Sequence, residues 1–245
     1  MKIKEIKTSC DVSKLKRLKM ICDDDLKNIP YPIPGNDGHH CSIFCGRPGS
    51  GKSTLAMSLL IEKTKPVYRG KYDNIIVFIP KHSLASMGDK NPFEDLDKKK
   101  VFHTLTPTSL QSAYDQVQNH ADIGENTLIF LDDMAAYLKD SNELQKLFNM
   151  IVFNRRHLRC SIIFLTQTFR SIPAPVRKSA SHLLLWKTSN KAESRAIFEE
   201  SIDRDKDEAD SICKYVFSEK YSFLLIDINN GNMYKNFNEL KIDED

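Results

Sequence analysis

Residues 41–61 read CSIFCGRPGSGKSTLAMSLLI, and three patterns follow one another in this segment. The short apolar run Cys41–Cys45 predicts a buried strand. Gly46 to Ser53 fit the spacing Gly-x4-Gly-Lys-Ser, and the helical pattern that starts at Lys52 follows directly. A glycine-rich loop between a strand and a helix N-terminus is the setting that this motif requires for phosphate binding. The segment therefore predicts an α/β fold of the P-loop type.

The loop has the residue types that phosphate binding requires. Gly46, Gly49 and Gly51 allow backbone angles that aim successive amides at phosphate oxygens. Lys52 supplies a mobile cation to the β- and γ-phosphates, and the Ser53 hydroxyl is a hard oxygen ligand for Mg²⁺. The alternative is a glycine-rich turn that caps an ordinary helix; four matched positions argue against it. The predicted site for ATP comprises Gly46, Arg47, Pro48, Gly49, Ser50, Gly51, Lys52, Ser53 and Thr54.

Two carboxylates follow the apolar run Leu128–Leu131. We expect Asp132 at the carboxyl end of a strand beside the strand of the phosphate loop, where it can hold Mg²⁺ through a bound water. Asp133 would then polarise the water that attacks the phosphate. The alternative is that an Asp caps the helix predicted at Ala135–Leu138, and it stays open for Asp133.

Gln167 follows the apolar run Ile162–Thr166 and should emerge at the same edge of the sheet. Its side-chain amide can donate to the γ-phosphate or orient the attacking water. The alternative is a hydrogen bond to a nearby loop. Three functional positions at one edge favour the catalytic interpretation.

Short apolar runs alternate with helical patterns along the rest of the chain, as expected for a parallel sheet covered by helices. Further strands are predicted at residues 74–79, 101–104, 127–131, 161–166, 182–186, 221–228 and 233–237. Further helices are predicted around Leu110, over Leu144 to Val152, and around Ala196 and Ile212. Asn230-Gly231 suits a hairpin turn. We predict a mostly parallel central sheet flanked by helices, with a C-terminal antiparallel hairpin.

Two regions are expected along the 245 residues. Residues 1–35 would be a basic N-terminal extension ending in the linker Pro30-Tyr-Pro-Ile-Pro-Gly35, and residues 36–245 the P-loop domain. Residues 1–20 hold seven Lys/Arg and two acidic residues, which fits an arm on phosphates or, more commonly, a solvated helix face. Residues 81–100 should form an exposed loop with one short helix.

Composition narrows the classes of protein to consider. Hydrophobic residues at 40% fit a globular core, and no apolar run approaches the length of a membrane span, so no membrane insertion is expected. The N-terminus lacks a signal-peptide pattern, which favours a cytosol-like compartment. Six scattered cysteines without CxxC pairs predict reduced thiols rather than a metal site. A net charge of +3 is too small to indicate nucleic-acid binding by itself.

Three motifs, GRPGSGKST, LIFLDD and IIFLTQT, together with an additional strand between the first two, resemble the FtsK-HerA superfamily of additional-strand P-loop ATPases. Within it, the chain is most similar to the genome-packaging ATPases of double-stranded DNA viruses and virophages. The double Asp and the segment Asn154-Arg-Arg-His157 contribute to this likeness. The resemblance covers about residues 41–187.

The resemblance implies a motor that threads double-stranded DNA into a preformed capsid. It implies a homo-oligomeric ring with ATP sites at subunit interfaces, a capsid or portal-vertex partner, and a place in the host cytoplasm, virus factory or virion. On this likeness Asp132 holds magnesium, Asp133 is the catalytic base and Gln167 senses the γ-phosphate. Many relatives in the superfamily have Glu where this chain has Asp133, which weakens that assignment.

The likeness also implies an arginine finger supplied by a neighbouring subunit. Arg155 and Arg156, at the end of a predicted helix, are the candidates, and Arg159 and Arg177 compete with them. The alternative is that these cations only complement the helix C-terminus. Contacts to DNA phosphates are expected from loops after the functional edge of the sheet, with Lys139, Arg170, Arg177 and Lys178 as candidates.

Other functions fit the P-loop as well. A P-loop kinase would want an arginine-rich lid, and residues 81–100 contain no arginine. A nucleotide-dependent switch or scaffold protein would hydrolyse ATP slowly, and the pair Asp133 and Gln167 argues weakly against it. Within the same superfamily, a DNA helicase or a conjugation-type translocase is the nearest alternative.

Overall fold

The computed structural model describes residues 26, 29–85, 87, 91–188, 190–202 and 206–241. The strands in this part of the chain are β1 (Cys41–Cys45), β2 (Asn74–Phe78), β3 (Val101–Phe102), β4 (Thr127–Asp132), β5 (Cys160–Thr166), β6 (His182–Trp186), β7 (Phe223–Asp227), β8 (Asn232–Lys235) and β9 (Asn238–Glu239). They form one sheet in the order β3-β2-β4-β5-β1-β6-β7-β8-β9. Pairing is parallel from β3 to β6 and antiparallel from β6 to β9. The predicted fold class is confirmed.

The helices of the described residues are α1 (Lys52–Ile61), α2 (Lys81–Ala85), α3 (Pro107–Asp122), α4 (Ala135–Lys139), α5 (Asn142–Asn154), α6 (Ala174–Lys178), α7 (Lys191–Ile202) and α8 (Lys206–Val216). Local signals set several of their starts. The Thr106 hydroxyl accepts from the Ser109 amide in a capping box ahead of α3, and the Ser141 hydroxyl accepts from Leu144 ahead of α5. No helix within the described ranges has the length and apolar character needed to cross a membrane.

The central strands are buried on both faces, which explains their continuous apolar sequences. Neighbouring residues of β1 serve opposite faces: Ile43 packs into one core cluster and Phe44 into the other. In β5, Phe164 and Leu165 divide in the same way. Since helices cover both faces, polar side chains of these strands can reach solvent only where the strands end.

The position of β4 corrects one expectation. We predicted that the strand of Asp132 lies beside β1, but β5 pairs with both strands and separates them. Asp132 is in register with Leu165, which is in register with Phe44, so the three residues lie at one level across the sheet. Because β5 lies between the two strands, Asp132 is two strand spacings, about 10 Å, away from β1. The inserted β5 is the additional strand of this P-loop type.

The C-terminal hairpin is confirmed in β7 and β8, and the sheet continues beyond it. Asn236 and Phe237 both have positive φ, 51° and 70°, and form a tight turn into β9, which the sequence did not predict. The segment 81–100 was predicted to be an exposed loop with one short helix; the helix is present, and a 3₁₀ turn and one buried aromatic residue were not predicted. It contains α2, a 3₁₀ turn at Lys98–Lys100, and Phe93, which is buried against the ring of Phe130.

Residues 30–35, predicted to be a linker, pack against the domain together with the preceding residue. Ile29 is buried, and the Tyr68 hydroxyl donates to the Pro34 carbonyl at 2.8 Å. The Tyr31 and Tyr234 hydroxyls share a hydrogen bond. The boundary at residue 35 stays a prediction, and the basic residues 1–20 lie outside the described residues.

Candidate functional site

The phosphate loop joins β1 to α1 through glycines with two different roles. Gly49 and Gly51 have φ of 72° and 100°, so the backbone there takes the left-handed conformation that favours glycine. Gly46 was expected to serve the same purpose but does not have a positive φ. A Cβ at Gly46 would lie 2.8 Å from Cβ of Trp186. Gly46 is therefore required by close packing against β6.

Hydrogen bonds hold the loop to the sheet. The Gly46 amide donates to the Thr166 carbonyl at 3.1 Å, which ties the start of the loop to the end of β5. The Ser50 amide donates to the Arg47 carbonyl at 3.1 Å, closing a turn. α1 starts after Gly51 without a side-chain cap. Its first amides thus face outward without a side-chain acceptor, which is the arrangement that binds anions at helix N-termini.

A cavity of about 780 Å³ opens beside this helix start. The predicted residues that line it are Pro48, Lys52, Ser53, Thr54, Asp132, Asp133 and Gln167. The cavity therefore brings the Lys52 ammonium and the Ser53 hydroxyl together with the side chains at the ends of β4 and β5, all at one edge of the sheet. The exposed Arg47 is part of the loop but does not line this cavity.

Other lining residues were not predicted. They are Met57, Ser58, Ile61, Ser83 and Met87. Met57 and Ile61 follow Ser53 at i+4 and i+8, so helical periodicity was a signal that pointed to them. Ser83 and Met87 come from the polar segment after β2, where no sequence pattern indicated a contact with α1.

Asp132 is only 6% exposed. Burial raises its pKa to about 6; the Lys52 ammonium and His82 oppose the rise, and the neighbouring Asp133 adds to it. A cation nearby would stabilise the charged form of this buried carboxylate. Among the described residues no three His, Cys, Asp or Glu side chains are grouped to hold a metal. A metal ion here would take Asp132, Ser53, phosphate oxygens and water, the ligand set that suits Mg²⁺.

Asp133 is exposed and has a φ of 56°. This left-handed backbone is uncommon outside glycine, although Asp tolerates it better than most residues. The Gln167 amide donates to Asp133 Oδ1 at 3.2 Å across the mouth of the cavity. The N-cap of α4 is Met134 rather than either Asp, so the capping alternative is not what the structure shows. The bond from Gln167 joins it to the loop after β4, as its alternative supposed, and its partner there is a residue that lines the cavity.

Arg155 and Arg156 lie far from the cavity in the same chain. They follow α5 at the amino end of β5, whereas Gln167 follows its carboxyl end. The seven residues of β5 span about 20 Å. Arg155 Nη1 donates to the Val152 carbonyl at 3.1 Å, so this arginine also complements the end of α5. Arg159, beside Cys160, lies at the same end of the strand.

The other cationic candidates divide into two groups. Arg177 is engaged within the chain: its guanidinium donates to both Glu200 carboxylate oxygens and to the Ile172 carbonyl, and stacks on the Phe169 ring. It is therefore unsuited to the finger or DNA roles considered for it. Lys139 and Arg170 are exposed on segments that follow the carboxyl ends of β4 and β5, whereas the exposed Lys178 ends α6 shortly before the amino end of β6.

Glu193 on α7 is a further residue that the sequence did not indicate. It is buried, and its Oε1 accepts from the Phe169 amide at 2.7 Å. Phe169 lies two residues after Gln167, so this bond fixes the segment that carries the predicted sensor. No local pattern connects residues so distant along the chain.

The sequence model described as the Poxvirus A32 protein matches residues 39–229, which span β1 to β7 and all the cavity residues. The chain belongs to this family. Membership confirms the resemblance to viral genome-packaging proteins that the motifs suggested.

Two members of the family show the extent of the sequence likeness. The DNA packaging proteins OPG160 of Variola virus and of Vaccinia virus (strain Western Reserve) are 31% identical over 149 residues. The match covers 57% of this chain and 50% of each relative. The chain thus spans about half the length of the curated relatives it matches.

Solved structures show the same fold. The DNA-packaging ATPase B204 from Sulfolobus turreted icosahedral virus has a TM-score of 0.62 and 17% identity, covering 84% of this chain and 99% of B204. EssC (ATPases 2 and 3) from Geobacillus thermodenitrificans has a TM-score of 0.56 and 11% identity, covering 84% of this chain and 40% of EssC. At these identities the likeness concerns the fold.

Proposed function

We propose that this chain is an ATPase that drives the translocation of double-stranded DNA and packages a viral genome into a preformed capsid. The observation that carries the proposal is the cavity at the carboxyl edge of the sheet. It joins the phosphate loop to Asp132, Asp133 and Gln167 in a member of the Poxvirus A32 protein family. The relatives named DNA packaging protein and the B204 ATPase have the activity that this arrangement suits.

Each cavity residue has a chemical task in the proposal. The amides of residues 51–54 at the start of α1 and the Lys52 ammonium bind the phosphates. Ser53 and Asp132 would hold Mg²⁺, which would offset the negative charge of the phosphates. Asp133 accepts a proton from the attacking water, and Gln167, 3.2 Å from it, orients that water against the γ-phosphate.

Hydrolysis of ATP by this set is expected to need a neighbouring subunit. Arg155 and Arg156 lie about 20 Å from the cavity of their own chain, along the length of β5. A finger from these positions must therefore act in trans, at an interface between copies in a ring. Met150 and Phe153, exposed on the same end of α5, offer apolar surface next to them.

The remaining partners follow from the packaging role. DNA phosphates would meet exposed cations at the cavity edge, with Lys139 and Arg170 on neighbouring segments. Such contacts read no bases, so binding should be independent of sequence. A capsid or portal-vertex protein would dock the ring, in the virus factory of the host cytoplasm.

The test is steady-state ATP hydrolysis with and without long double-stranded DNA. We expect DNA to raise the rate severalfold. We expect Lys52→Ala to abolish hydrolysis, because the phosphates then lose the one cationic side chain of α1. Lys63→Ala, which changes an exposed lysine just beyond α1, is the matched control and should hydrolyse ATP like the wild type.

The outcomes separate the alternatives. Hydrolysis that depends on Lys52 but ignores DNA of every length would refute translocation and favour a kinase or switch. Hydrolysis that survives in Lys52→Ala would show that the cavity is not the site. Mixing wild-type subunits with Arg155→Ala or Arg156→Ala subunits then tests the trans finger. If the arginine acts in trans, a subunit that lacks it should inactivate the ATP site of its wild-type neighbour.

A further inference from the structure

A nucleoside triphosphate in this cavity has a fixed direction across the sheet. The residues that would meet its γ-phosphate, Asp132, Asp133 and Gln167, follow β4 and β5 on one side of β1. The phosphate loop itself follows β1. The other side of the loop, toward β6 and β7, is therefore left for the base of the nucleotide.

Two aromatic side chains stand at that position. A Cβ placed on Gly51 would lie 3.5 Å from Cδ1 of Tyr221 and 3.7 Å from Nε1 of Trp186. Gly51 immediately precedes Lys52, so both rings border the end of the phosphate loop. Trp186 ends β6, and Tyr221 belongs to the turn between α8 and β7.

The two rings have opposite exposure. Trp186 is 4% exposed and packs in a row of aromatic rings between Phe44, at 6.0 Å, and Phe223, at 5.3 Å. Tyr221 is 57% exposed although it lies beside this row. The buried row gives the turn a rigid support, and Tyr221 presents a large open aromatic surface next to the loop.

The backbone of Tyr221 is also unusual. Its φ is 67°, in the left-handed region that a bulky aromatic residue rarely adopts. Such conformations cost free energy and concentrate at ligand sites. The Lys220 ammonium lies over the Tyr221 ring, 4.7 Å from its centre, so one face of the ring meets a cation. More than half of the side chain is exposed, which leaves ring surface open to a flat ligand.

We propose that the free face of the Tyr221 ring stacks on the nucleobase of the bound nucleoside triphosphate, on the β6–β7 side of the phosphate loop. This proposal rests on the proposed function, since it assigns a base subsite to the same nucleotide site. Stacking on an aromatic face tolerates every base, because each has a π surface. The subsite therefore contributes affinity for a nucleotide with any base, without a hydrogen-bonding code.

Calorimetric titration of the full chain with two ligands in Mg²⁺ tests the subsite. The first is the nonhydrolysable ATP analogue AMPPNP, and the second is ribose 5′-triphosphate, which lacks only the base. Tyr221→Ala should weaken AMPPNP binding about tenfold, within the range of base stacking on an aromatic ring. It should leave ribose triphosphate binding unchanged, and Tyr221→Phe should bind both ligands like the wild type.

The chain offers a matched control in Tyr215. This tyrosine is 63% exposed and has the Lys235 ammonium 5.0 Å from its ring centre, but it lies on α8. Tyr215→Ala should change neither affinity. If Tyr221→Ala binds AMPPNP as tightly as the wild type, or weakens both ligands equally, the base subsite is refuted. Failure of the wild-type chain to bind either ligand would instead refute the nucleotide site and the proposed function with it.

Discussion

Replacing Asp132 by Asn should make the ligand-free chain more stable while removing its magnesium ligand. Burial raises the pKa of Asp132 from its ordinary value of 3.8 to about 6. A shift of this size corresponds to about 3 kcal/mol of unfavourable free energy when the carboxylate is charged in the folded state. Asn has a similar shape and no charge, so the substitution removes this cost.

The sign and the pH window follow from proton binding. Between about pH 4 and 6 the folded chain holds a proton on Asp132 that the unfolded chain has released. Stability contributed by this residue therefore falls as the pH rises through that window and is lowest above it. We expect Asp132→Asn to gain about 3 kcal/mol in unfolding free energy at pH 8 and roughly half as much at pH 5.

Urea unfolding at both pH values, in EDTA and without nucleotide, measures the two gains. The single tryptophan, Trp186, is a fluorescent reporter beneath the phosphate loop. Asp133→Asn removes the same charge from the adjacent exposed position and should change stability by less than about 0.5 kcal/mol. The reasoning is refuted if Asp132→Asn gains nothing at pH 8. A gain that is equal at both pH values would refute it too, because packing and not ionisation would then be responsible.

Two further predictions concern the same edge of the sheet. Affinity for Mg²⁺ with AMPPNP should fall as the pH drops below about 6, since a proton on Asp132 competes with the cation; an affinity that is constant from pH 5 to 7 would contradict this. Glu193→Ala should lower kcat with little change in KM and cost about 1–3 kcal/mol in stability, because the Phe169 amide loses its acceptor. Glu193→Gln keeps an acceptor oxygen and should have a kcat and a stability close to those of the wild type. A Gln variant as impaired as Glu193→Ala would contradict this role of the hydrogen bond.

Sequence patterns predicted the parts of the fold that depend on local signals. Continuous apolar runs identified β1, β4 and β5 because strands covered on both faces need such sequences. Strand order is a property of the whole chain, so nothing in the sequence of β5 indicated that it separates β1 from β4. The short β9 escaped prediction because two exposed residues, Asn238 and Glu239, have neither length nor periodicity.

In the candidate site, too, residues marked by a local sequence pattern could be predicted, and those brought in by distant parts of the chain could not. The phosphate loop has fixed spacing, and Asp132 and Gln167 end buried strands, so their shared edge could be predicted from parallel topology. Glu193, which accepts from the Phe169 amide, and Tyr221, which borders Gly51, come from segments after β6, and no sequence pattern indicated either contact. The role of Gly46 was also hidden, since a glycine needed for close packing and one needed for positive φ look alike in a sequence.

The positions of the predicted arginines bear on how copies of the chain would assemble. Phosphate chemistry is proposed at the carboxyl edge of the sheet, and Arg155 and Arg156 lie at the amino edge. A two-fold dimer in which two amino edges meet leaves both cavities without an arginine. A trans finger therefore needs an interface that sets the amino edge of one copy against the cavity of another. Repeated head to tail by rotation, such an interface closes into a ring in which every cavity receives an arginine from a neighbouring copy.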